Sequence, residues 1–189
     1  MPRSEYDAFP VPGHDTFPHG IDTSSPVEPE VADPFTRATD YPLLVVTAVG
    51  PDGERSGCLA GFITQCSIDP PRFLVCISRV NRTFEIVHQT SFLALHLLGE
   101  SQGEVASLFG EETGDEIDKF ADLGWHPGPG AVPLLDDCAA WMVVEILHRI
   151  DVGDHEAQLT APIEGGIGNC PGLLTLRSAP PLEAGHPAE

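Results

Sequence analysis

Three strand-length apolar segments, cut by glycine and proline turns, fill residues 43–78 and force tightly connected antiparallel strands. Residues 43–49 are rich in β-branched side chains. Gly50, Pro51, Asp52 and Gly53 form a strong turn signal, and residues 56–67 supply the returning arm of a hairpin. That arm is studded with small residues, and glycine weakens a strand unless another backbone or a ligand approaches closely. Pro70 and Pro71 end it, because proline cannot donate to a ladder. Residues 72–78 read as a third strand.

The pattern continues with short elements. Residues 81–89 read as a helix with Phe84, Val87 and His88 on one face and Asn81 as its N-cap. Residues 92–98 form a fourth strand. Two capping boxes follow. Ser101 and Glu104 open a helix carrying Val105, Leu108 and Phe109; Thr113 and Glu116 open one carrying Ile117, Phe120 and Ala121. Residues 124–133 read as a loop, 138–152 as a long strand, and 155–162 as its partner across a turn at 152–154. Strands outnumber helices, so the expected fold is mainly β with short helices, a small antiparallel barrel.

The flanks differ. Residues 1–34 carry prolines at 2, 10, 12, 18, 26, 29 and 34 and seven acids against one Arg, an acidic tail or arm. The expected domain is 35–178, and 179–189 is a Pro-rich C-terminal tail. Lys plus Arg minus Asp plus Glu is 9 − 29 = −20. That charge excludes a broad grip on nucleic acid and argues against anionic lipid. A phosphate site would have to be local, built from a few Arg side chains and backbone N–H groups. No run is apolar enough to span a bilayer, and the N-terminus lacks the apolar stretch of an export signal. A cytoplasmic protein with reduced thiols at 58, 66, 76, 138 and 170 is expected.

Three constellations could carry chemistry. The first is residues 61–67 (Gly-Phe-Ile-Thr-Gln-Cys-Ser): Thr64 and Ser67 offer hydroxyls, and the nearby backbone offers N–H donors for the rim of a planar heteroaromatic ligand. The alternative is a barrel strand ending in a proline turn. The second is Asn81, Arg82 and Thr83, following Arg79 and Arg72 in the chain's densest cationic stretch, where a helix start and a guanidinium could hold a phosphate. The alternative is a capped helix with solvated Arg. The third is Gly153, Asp154 and His155 between two long strands, where Asp154 could orient His155 near a redox ligand or in a proton relay. A plain polar hairpin turn is the alternative. No Rossmann, P-loop or nucleophile-elbow motif occurs, the eight His form no HExxH, and no metal site is expected.

Together and in this order these pieces resemble the flavin reductase-like family, whose fold is the FMN-binding split barrel. Ser67-Ile68-Asp69-Pro70-Pro71 matches its Ser-x-Asp-Pro-Pro; Asn81-Arg82-Thr83 its polar turn; residues 92–97 its following strand; Asp118-Lys119-Phe120 its Asp-Lys/Arg-Phe element; and Gly153-Asp154-His155 its Gly-Asp-His. The resemblance covers roughly residues 40–165. It implies a homodimer that binds FMN or FAD, with the ring along Phe62, Ile63, Thr64, Gln65, Cys66 and Ser67. The phosphate would sit at Asn81, Arg82 and Thr83, Phe120 would join the cofactor site, and Asp154 and His155 would lie where a nicotinamide stacks. NADH or NADPH would then reduce the flavin, which passes electrons to O₂ or to a partner monooxygenase. Cys66, in a place often held by Ser or Val, and His96, where Asn is common, depart from the pattern. Two alternatives remain: an FMN-binding electron carrier or flavin-binding protein without NAD(P)H reductase activity, and a split barrel that has lost flavin and serves as an interaction module.

Overall fold

The computed structural model describes residues 31–112 and 117–182. The chain divides into two units after Thr39. Described residues of the first unit form helix α1 (Asp33–Ala38), with an Arg37–Asp33 ion pair at 3.2 Å.

The second unit is one seven-stranded antiparallel sheet and a two-stranded ribbon. Its strands are β1 (Leu44–Val49), β2 (Arg55–Ala60), β3 (Ile63–Ile68), β4 (Pro71–Ser78), β5 (Phe92–Leu97), β6 (Trp125–Pro127), β7 (Pro133–Leu135), β8 (Ala140–Asp151) and β9 (His155–Ile167). Its helices are α2 (Arg82–Val87) and α3 (Gly103–Gly110). The large sheet runs β2-β1-β5-β8-β9-β4-β3, and β6 pairs with β7. β2, at one edge, approaches β4, next to the other, and α2 packs on both. The sheet therefore rolls into a split barrel without closing.

The barrel interior follows from the sequence pattern. β1 is buried along nearly its whole length because strands flank it on both sides and the core lies beneath it. Leu44, Val46, Cys58, Val75, Ile77, Leu93 and Val144 meet Ile86 and Val87 of α2 inside the barrel. A second cluster, with Phe109, Phe120 and Leu135, lies around α3.

Several expectations need correction. Residues 56–67 are not one arm: the chain breaks at Gly61 and Phe62, so β2 pairs with β1 while β3 pairs with β4 at the far edge of the sheet. The small residues of β2 admit rings rather than a ligand. A Cβ on Gly57 would meet the Phe109 ring at 2.7 Å, and one on Gly61 the Tyr41 ring at 2.6 Å. The Ser101 box does not cap α3. Its N-cap is Gln102, whose side chain accepts from the Gly99 N–H at 2.8 Å and donates to the Asp137 carbonyl at 2.9 Å. Residues 117–121 form turns, not a helix; the box at 113–116 lies outside the described residues. The 124–133 loop contains β6 and leads into β7, and β9 runs on to Ile167. Asn81 does cap α2, its Oδ1 accepting from the Thr83 N–H at 3.5 Å.

Candidate functional site

The candidate residues fall in order along β4. Ser67 is the register partner of Arg72, Thr64 of Leu74 and Ile63 of Val75. The Cys76 N–H donates to the Phe62 carbonyl at 3.0 Å. On the other side of β4, Ser78 is the partner of His155. Asn81 and Arg82 follow at its C-terminal end. At about 3.3 Å per residue, Leu74 and Ser78 stand about 13 Å apart, so the stripe has small-molecule dimensions. Register partners project to one face, which puts Thr64, Phe62 and His155 on the same side of the sheet. The Phe62 and His155 rings accordingly meet edge-on with centroids 5.3 Å apart.

β3 is the outermost strand of the large sheet, so its outer row of backbone N–H and C=O groups has no strand partner among the described residues. Pairing with β4 skips Cys66, making it the extra residue of a bulge between Gln65 and Ser67. Bulges bend a strand and re-aim its groups. Thr64, Gln65 and Cys66 are exposed. On the inner face, Ile63 and Gln65 border an apolar cavity of about 350 Å³ walled by Phe73, Leu95, Trp141 and Met142.

At the other end, the turn between β8 and β9 is held by Arg79. Its N–H donates to the Asp154 carbonyl at 3.0 Å, its Nε to the Gly153 carbonyl at 3.1 Å, and its guanidinium pairs with Asp151 at 3.1 Å. The Gly153 N–H, and then Arg79, hold the Asp151 carboxyl below its usual range. Gly153 has φ of 121°, a conformation that side chains rarely adopt. The His155 ring lies 2.8 Å from Asp154 Oδ1 through Nδ1. A carboxylate only accepts, so Nδ1 carries the proton and, in the neutral ring, Nε2 is the acceptor.

The cationic stretch is locally neutralised. Arg82 donates to Glu54 at 2.9 Å and is also bound to Glu85. Thr83 is fully buried and its hydroxyl meets that of Ser56 at 3.0 Å, so it faces the core. Phe120 lies in the core cluster around α3. It is 4% exposed and packs edge-on against Phe109 and Trp125, while Arg55 stacks over Trp125 at 4.7 Å and pairs with Asp118 at 3.2 Å. Lys119 Nζ is buried against the Gly57 and Phe109 carbonyls, both at 3.3 Å. The Asp118-Lys119-Phe120 element thus braces β2.

The flavin reductase-like domain model matches residues 36–172. The chain belongs to that family. The flavin reductase (NADH) of Kitasatospora aureofaciens is 32% identical over 124 residues, 65% of this chain and 63% of that protein. The reductase subunit of stachydrine N-demethylase from Rhizobium meliloti strain 1021 is 32% identical over 111 residues, 59% of this chain and 47% of that protein. The matched segment spans between 35% and 63% of the length of the first curated relatives. A flavin reductase domain protein from Arthrobacter sp. FB24 shares the fold, with a TM-score of 0.71 at 24% identity, over 82% of this chain and 98% of that one.

The residues of this family member suit a flavin nucleotide by their donor set. An edge strand supplies backbone donors and acceptors beside the Thr64 and Ser67 hydroxyls, Phe62 and His155 supply aromatic contact, and Arg82 supplies the only kind of side chain that forks onto a phosphate. Two neighbours of the site carry no local sequence signal: Tyr41 packs against Phe62 with centroids 6.1 Å apart, and Glu54 pairs with Arg82. Arg79 stands out in sequence as part of the cationic stretch, but its hold on the 151–154 turn does not. Only the fold brings them in.

Proposed function

We propose that the protein is an NAD(P)H-dependent flavin reductase that takes FMN or FAD at the β4 stripe and passes reduced flavin to O₂ or to a partner monooxygenase. The observation that carries this reading is the alignment of the β3 edge, the Phe62–His155 pair and Arg82 along one strand. Bound flavin would supply hydride acceptance from the nicotinamide and electron transfer onward. The protein's residues do the positioning. The β3 edge near Thr64 and Ser67 hydrogen-bonds the ring's polar rim, Arg82 and Asn81 hold the phosphate, and Thr83 anchors the helix beneath them. Asp154 fixes the His155 ring so that its Nε2 faces incoming nicotinamide. No side chain need transfer a proton, because hydride transfer between stacked rings depends on approach and orientation.

The flavin-binding domain would span residues 35–178, with residues 1–34 an acidic N-terminal arm and residues 179–189 a C-terminal tail. The working form is a cytoplasmic homodimer. Exposed apolar groups at Ile68, Ile163 and Ile167 support the dimer, and no described helix is long and apolar enough to cross a membrane. One observation favours a flavin carrier without NAD(P)H turnover: Phe62 already packs on His155, at the place assigned to the nicotinamide. Steady-state oxidation of NADH and NADPH, with and without added FMN or FAD, separates the two. Flavin-dependent turnover supports the reductase; flavin binding without turnover supports the carrier.

A further inference from the structure

Arg82 is the cation assigned to the flavin phosphate, yet it is held by two carboxylates of its own chain, Glu54 at 2.9 Å and Glu85. The Glu54 contact is built in by the fold. Glu54 closes the β1–β2 turn, where its carbonyl accepts from the Gly50 N–H at 2.8 Å and its own N–H donates to Asp52 Oδ1 at 3.1 Å. Two residues further on, Ser56 is bonded to Thr83, the residue after Arg82, and both are buried. This buried joint fixes β2 to the start of α2, so the carboxylate and the guanidinium face each other although 28 residues separate them in sequence. One guanidinium between two carboxylates carries a local charge of −1, in a chain whose net charge is −20.

We propose that Glu54 is an internal competitor of the flavin phosphate for Arg82. The incoming phosphate must displace the carboxylate, which lowers the affinity gained from the phosphate. The pocket therefore discriminates less between FMN and riboflavin than an unshared guanidinium would, and it holds the nucleotide less tightly. The inference rests on the flavin-binding reading above, and it adds that Glu54 sets affinity and specificity at the phosphate end.

The test is titration of FMN and of riboflavin, followed by quenching of their fluorescence, into the wild-type protein, Glu54→Gln, Arg82→Ala and the double variant. Glu54 is half-exposed, so Glu54→Gln keeps the fold. The expected result is FMN binding about three- to fivefold tighter in Glu54→Gln, the span of a partly exposed ion pair, with riboflavin changed less than about twofold. In the Arg82→Ala background the same substitution should leave the FMN-to-riboflavin ratio unmoved. If wild type quenches FMN but Glu54→Gln leaves that ratio unchanged, or weakens FMN, the proposal is overturned while the flavin reading stands. If wild type quenches neither flavin, the flavin reading falls and the proposal with it.

Discussion

Ser78 of β4 and His155 of β9 are register partners, which places the oriented histidine at the same end of β4 as Arg82. The Asp154 carboxylate holds its Nδ1–H at 2.8 Å. His155→Ala should lower kcat/KM for NADH roughly 2- to 12-fold, about 0.5–1.5 kcal/mol, the worth of one neutral hydrogen bond. FMN affinity should change little. Asp154→Asn, whose amide oxygen still accepts, should recover most of the loss shown by Asp154→Ala. Steady-state kinetics with NADH varied at saturating FMN check both.

At the phosphate end, Arg82→Ala should weaken FMN binding by about 1.5 kcal/mol, the low end for a charged hydrogen bond because Glu54 already shares the guanidinium. Riboflavin should lose much less. Equal losses for both ligands would remove Arg82 from the phosphate site. Fluorescence titration reads both.

The buried joint between Ser56 and Thr83 makes a stability prediction. Ser56→Ala removes the 3.0 Å partner of the buried Thr83 hydroxyl, which keeps its hydrogen bond with the Cys58 thiol, and should cost about 0.5–1.5 kcal/mol in urea unfolding. Because the joint also sets Glu54 against Arg82, the variant should shift the FMN-to-riboflavin ratio as well.

His96 makes stability depend on pH. Its Nδ1–H donates to the Val45 carbonyl at 3.1 Å, and its Nε2 accepts from the Leu135 N–H at 3.1 Å, so the buried ring must be neutral. Burial pushes its pKa down from 6.5 to about 4. The folded state disfavours the proton, so the stabilisation is fully present above about pH 6.5 and is lost as pH falls toward 4. The loss is on the order of 3 kcal/mol, from a shift of about 2.5 at 1.36 kcal/mol per unit. Urea unfolding at neutral and mildly acid pH should show it, and His96→Gln should flatten that part of the profile.

Much of this was legible in the sequence where the signal is local. The turn at 50–53, the Asn81 cap and the Gly153 turn depend on neighbours within a few residues, and each is found. The break at Gly61 and Phe62 depends on Tyr41, twenty residues upstream, and no local pattern announces it. Glu54 follows the 50–53 turn with no signal of its own, and only the fold sets it on Arg82. Phe120 carries an aromatic signal equally suited to a ligand and to a core, and packing against Phe109 and Trp125 places it in the core cluster.

On the proposed function, the β3 edge, His155 and Arg82 act on one flavin along β4. The decisive measurement is anaerobic mixing of catalytic amounts of the protein with FMN and NADH, followed at the visible flavin band. Rapid bleaching of the band is expected with wild type, slowed in both His155→Ala and Arg82→Ala. Bleaching no faster than in a mixture without protein, together with unperturbed FMN fluorescence, would overturn the flavin reading.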